Sequence, residues 1–193
     1  MLTKDAFRLL LGLILCSTSP SPAWASHGYT LHILADSRYI DTSKYYVKIS
    51  PPAGSPPNSK CMQTWYTPTT EVTLDATTTS LTLYIEDKNS TPCGGDPKYN
   101  TWNYTIKSRN DHSSDYDQQV AKGSIQFYHA YYDDWSTAII TRNLDGIPPN
   151  RSAIGFATCY NNKVQTSCLN RYATGKDAAN EIYMYFRWPV IEK

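Results

Sequence analysis

Beyond its first 25 residues the chain has no apolar run near the roughly 20 residues that a bilayer-spanning helix needs. The remainder is therefore expected to carry no stable transmembrane segment. Charge of one sign is also lacking: 18 Lys and Arg stand against 17 Asp and Glu. A nucleic-acid-binding face needs a basic excess, and so does strong attraction to anionic lipid, so both classes are disfavoured. There is no G-x-S-x-G elbow, no H-E-x-x-H and no Gly-rich phosphate loop, since Gly94-Gly95 reads as a turn beside Cys93. The cysteines are not in the close pairs that zinc sites use. The acidic stretch 108–118, with Asp111, His112, Asp115 and Asp117, lacks the Gly and terminal Glu of an EF-hand and reads as a solvated loop. The carboxylate pairs Glu86-Asp87 and Asp133-Asp134 are neighbours on strands. Their side chains should leave on opposite faces, so neither pair can flank one glycosidic bond. These absences assign no catalytic residue, metal or cofactor, and the reading leans away from an enzyme.

At the N-terminus there is a secretory pattern. Lys4 and Arg8 precede the apolar run Leu9 to Cys16, which is long enough for a signal h-region and too short to span. Ala23-Trp24-Ala25 has small residues at the first and third positions, so cleavage is placed after Ala25. Residues 1–25 are then a signal peptide and 26–193 a single mature domain, secreted or periplasmic. Four cysteines survive cleavage: Cys61, Cys93, Cys159 and Cys168. An even number in an exported chain reads as two disulfides. Of the three possible pairings, Cys61–Cys93 with Cys159–Cys168 is preferred, because Tyr160 to Lys163 looks like a turn that brings the second pair together.

Period-two alternation, the signature of a half-buried strand, recurs along the mature part. It is clearest at 45–50, 81–86, 102–107, 125–131 and 182–188. Weaker strand candidates are 29–35, 60–66, 70–75, 136–142, 153–159 and 164–169. Pro- and Gly-rich breakers at 51–57, 91–97 and 145–150 separate them. Only 176–181, with Asp177 as an N-cap, looks helical. About ten short alternating strands predict an all-β fold, an antiparallel β-sandwich or closed barrel with one wet face per sheet. The last strand, with apolar Ile182, Met184 and Phe186 on one face and Tyr183 and Tyr185 on the other, is expected to be central.

Tyrosine is plentiful: the chain has 16 Tyr and 5 Trp. They are densest from Phe127 to Trp135. Such rings stack on sugar faces and give contact area with little rotamer entropy to lose, although strands favour aromatics on structural grounds too. Tyr128, Tyr131, Tyr132, Asp134 and Trp135, with Trp65 and Tyr66, are the candidate ligand-binding residues. His32 and His129 fall on strands and read as satisfied sheet histidines. The function expected is that of a non-enzymatic binding protein for a glycan or cell-surface ligand. A membrane-active, pore-forming toxin using 67–86 as a Thr-rich amphipathic hairpin is an alternative, as are a hydrolase or a periplasmic protein inhibitor.

Overall fold

A computed structural model describes residues 26–51, 59–65, 70–90, 92–109, 117–146, 152–161, 164–175 and 180–189. The proposed signal peptide, Tyr66 and the acidic run 110–116 lie outside them. The described residues form twelve strands and no helix. In chain order these are β1 (Gly28–Leu34), β2 (Tyr45–Ser50), β3 (Met62–Trp65), β4 (Val72–Leu74), β5 (Ser80–Asp87) and β6 (Lys98–Ser108). They continue as β7 (Gln118–Tyr131), β8 (Trp135–Asp145), β9 (Ile154–Asn161), β10 (Val164–Ser167), β11 (Ala173–Thr174) and β12 (Glu181–Phe186).

The strands build two six-stranded sheets, ordered β10-β9-β12-β1-β5-β3 and β11-β8-β7-β6-β2-β4. The sheets face each other across one apolar core. Leu31, Ile33, Leu83, Ile85, Ile182, Met184 and Phe186 come from the first sheet, and Val47, Ile49, Trp102, Tyr104, Ile125, Phe127 and Ile139 from the second. In β12 the sequence alternates Ile182, Met184, Phe186 inward and Tyr183, Tyr185 outward, and the strand is central as expected, between β9 and β1. The architecture is thus the expected all-β sandwich, with twelve strands instead of about ten.

Both expected disulfides are present. Cys61–Cys93 has a Cα separation of 5.4 Å and Cys159–Cys168 one of 5.8 Å. The second closes the β9–β10 hairpin, in which Val164 pairs with Asn161 and Thr166 with Cys159. Two cross-links of this kind belong to an oxidising environment. Among the described residues no helix is long and apolar enough to cross a membrane.

Two expectations need correction. The sandwich is not wholly antiparallel, because β1 runs parallel to β12 in a register that sets His32 opposite Tyr183. These strands are far apart in sequence, so no tight turn forces them to run in opposite directions. The stretch 67–86 is not a hairpin. β4 pairs with β2 in one sheet and β5 with β1 and β3 in the other, so the chain crosses between layers at 75–79. Asp75 fixes that crossing: its Oδ1 accepts from the Thr77 amide at 2.8 Å, the Thr77 hydroxyl at 2.7 Å and the Thr78 amide at 3.0 Å. Its Oδ2 accepts from Arg109 at 3.1 Å. These donors hold the carboxyl well below the usual range, the Thr77 hydroxyl foremost. Most of the expected helical turn at 176–181 lies outside the described residues, and Glu181 opens β12.

Candidate functional site

The β7–β8 hairpin carries the densest aromatic run, and strand alternation divides it. Phe127, His129 and Tyr131 leave β7 on the face turned toward the other sheet, together with Trp135, which pairs with Tyr131. Tyr128 leaves on the opposite, outward face, beside Tyr99 of β6. The five candidates from this hairpin therefore do not form one surface.

On the inward side, His129 stacks on Trp135 with ring centroids 4.6 Å apart and planes 4° from parallel. Tyr131 meets Trp135 edge-on at 5.5 Å, at the rim. The Lys98 ammonium lies 4.0 Å from the Trp135 ring centroid. His129 is buried, and its Nδ1 shares a 2.8 Å hydrogen bond with Thr137 Oγ1. Burial lowers its pKa to about 3, helped by the Lys98 charge and then His27, so the imidazole is neutral at neutral pH. Tyr29 packs against both Phe127 and His129, and its hydroxyl donates to buried Asp87 at 3.1 Å. Asp134 is committed to the turn: its Oδ1 accepts from the Trp135 amide at 2.8 Å. Trp135 and His129 thus serve packing more than contact with a ligand.

On the outward side a tyrosine cluster is assembled from four places in the chain. The Tyr99 and Tyr128 rings lie 6.3 Å apart and 13° from parallel. Tyr172, from the link between β10 and β11, approaches Tyr128 at 6.2 Å and Tyr132 at 5.4 Å. The Tyr132 hydroxyl donates to that of Tyr172 at 3.2 Å. Beneath them the outward positions Ala130, Ser136 and Ala138 are small and buried, with Ala138 directly opposite Tyr128. Tyr132 is 57% exposed and Tyr172 40%, a large apolar area to leave in water. The bond to Tyr132, and then burial, push the Tyr172 phenol up to about 12, while burial chiefly raises that of Tyr128. Both are neutral hydroxyls at physiological pH.

Of the sequence candidates, Tyr128 and Tyr132 come together here, joined by Tyr99 and Tyr172, which sequence reasoning missed. Tyr131 and Trp135 sit on the other face. The backbone of Trp65 ends β3, paired with Ile85 in the other sheet. Tyr99 could have been found from its parity, since it precedes the alternating run of β6 in phase with the outward residues. Tyr172 sits in a segment with no period to read.

A second aromatic face was also missed, on the outer side of the first sheet. His32 stacks on Tyr183 at 4.4 Å, Phe156 stacks on Tyr185 at 4.5 Å, and Tyr39 meets both Phe156 and Tyr185 edge-on. Tyr160 extends it at 5.3 Å from Tyr183. These rings pack mainly on each other and are half-buried. No protein-family model matches the chain, and no curated protein or solved structure matches it.

Proposed function

We propose that the protein is an exported, non-enzymatic binding protein that recognises a neutral glycan or glycosylated cell surface through Tyr99, Tyr128, Tyr132 and Tyr172. The observation that carries this reading is the set of two exposed, mutually hydrogen-bonded phenols beside a stacked tyrosine pair on a sheet face. Ring faces offer stacking area to the C–H face of a sugar, and neutral hydroxyls offer donors and acceptors to its hydroxyls. Tyr99 and Tyr128 stand on neighbouring strands, so little conformational freedom of that pair is lost on binding. The near balance of charge in the chain suits an uncharged ligand better than a polyanion. Export follows from the N-terminal pattern and agrees with the two disulfides.

The test is a glycan array followed by calorimetry on the best hit. Tyr132→Ala combined with Tyr172→Ala should weaken binding at least tenfold while shifting the melting temperature little, because both side chains are exposed. Tyr131→Ala, on the other face, should leave affinity unchanged. Equal affinity in the double variant, or no glycan bound by the wild type, sinks the proposal.

A further inference from the structure

Between the sheets, at the end closed by Trp135, lies a polar pair with no role in the tyrosine cluster. Lys98 and Asn100 occupy successive inward positions of β6, opposite His129 and Phe127. Both are 0% exposed. The Lys98 Nζ and both polar atoms of the Asn100 amide have no hydrogen-bond partner among the described residues. Buried polar groups are nearly always bonded, and a buried charge that stays ionised needs a counter-charge or a set of acceptors.

The nearby acids do not bond the ammonium. Burial lowers the Lys98 pKa and the charge of buried Asp87 acts against that, but no Asp87 oxygen bonds the Nζ. The Asp87 Oδ1 accepts from the His27 amide at 2.8 Å and the Asn89 side chain at 3.0 Å, and its Oδ2 from Tyr29 at 3.1 Å. Asp96 lies nearer Lys60, at 3.9 Å. His129 is neutral, and its Nδ1 is bonded to Thr137. The indole face of Trp135 offsets part of the cost of burying the ammonium. It does not accept three N–H bonds.

We infer that Lys98 and Asn100 hold a small monovalent anion, of halide or formate size, between the two sheets. The ammonium supplies the charge, and the Asn100 amide adds N–H donors from a position about 7 Å further along the same strand face. A cation is disfavoured by the lysine. A larger ligand is disfavoured by the complete burial of both residues. The site is separate from the tyrosine cluster, so either can fail without the other.

The experiment follows melting temperature in sodium bromide or chloride against sodium gluconate at constant ionic strength. An anion that binds only the folded state should raise the melting temperature of the wild type by about 5–10 °C at a hundredfold excess over its dissociation constant. That response should vanish in Lys98→Met and fall in Asn100→Leu. Crystals of the wild type grown in bromide should show an anomalous peak between Nζ and the Asn100 amide, a readout that stands even if Lys98→Met does not fold. The inference is overturned by equal salt responses in wild type and Asn100→Leu, or by a bromide-grown crystal with only water against Lys98.

Discussion

His129 shows how much one buried side chain can impose. Its ring stacks on Trp135 and meets Tyr29 at a tilt, with Lys98 directly opposite on β6 and Thr137 bonded to Nδ1. Burial first, then Lys98 and His27, lowers its folded pKa to about 3, against 6.5 for the free residue. Between these values the unfolded chain holds a proton that the folded one does not. Stability therefore falls as pH drops from about 6.5 toward about 3, by at most about 1.4 kcal/mol per pH unit. The carboxyls of Asp36, Asp41 and Asp75 are shifted in the same direction, but from a lower starting value. Their contribution is complete above about 5 and lost as pH falls below that, so the interval from about 6.5 to about 5 isolates the histidine. His129→Gln, which can keep a bond to Thr137, should flatten the dependence of the urea midpoint on pH in that interval. Parallel midpoints for wild type and variant would falsify the assignment. That His129 is a satisfied sheet histidine was legible from its place in an alternating run. Its contact with Lys98 was not, because the two are brought together only by strand pairing.

At the level of strands and loops, alternation located most elements but not their partners. β2, β5 and β12 fall close to where the pattern puts them. β7 begins at Gln118, well before the visible run at 125, because its early inward positions are Ala121 and Gly123. Gly123 faces Tyr104, and a Cβ there would come within 2.4 Å of the Tyr104 hydroxyl and 2.5 Å of the Arg142 carbonyl. Size, not hydrophobicity, alternates in that part of the strand, which hides it from a polarity reading. β6 is likewise masked at its start, since its inward Lys98 and Asn100 break the apolar pattern. The 67–86 stretch misled for a different reason: periodicity is the same whether two strands pair with each other or leave for different sheets. The disulfides were legible, and they give a prediction at this scale. In the chain-entropy account the cost of losing a cross-link grows with loop length. The separations are 9 residues for Cys159–Cys168 and 32 for Cys61–Cys93. Replacing the first pair by Ala should cost about 2.5–3 kcal/mol in urea unfolding and the second about 3.5–4. The reverse order would argue that packing, not loop entropy, dominates. Loss of the shorter bridge should also speed amide exchange in β10, an edge strand whose four residues are all exposed.

Across the whole molecule, neither aromatic surface belongs to one segment. The tyrosine cluster draws on β6, β7, the turn after β7 and the link before β11, and the second face draws on β1, β9, β12 and the turn holding Tyr39. A sequence shows which residues share a face of one strand; it does not show which strands lie side by side, so only part of the site could be read in advance. The same topology governs assembly. β1 and β12, the first and last described strands, are neighbours in the middle of a six-stranded sheet, with β9 beyond one and β5 beyond the other. Ile182, Met184 and Phe186 of β12 are each 0% exposed and fill the centre of the core. Without β12 the sheet separates into β10-β9 and β1-β5-β3, and two edges with buried faces open at once. A chain ending at Asn180 should therefore fail as a whole, losing the near-ultraviolet circular dichroism signal and the cooperative thermal transition together. Met184→Ala keeps the strand and removes only its central side chain, so it should still unfold cooperatively at a cost of about 2–5 kcal/mol. If the truncated chain melted cooperatively with a native-like near-ultraviolet spectrum, β12 would be an ornament on an independently stable body, and the central placement of that strand would be wrong.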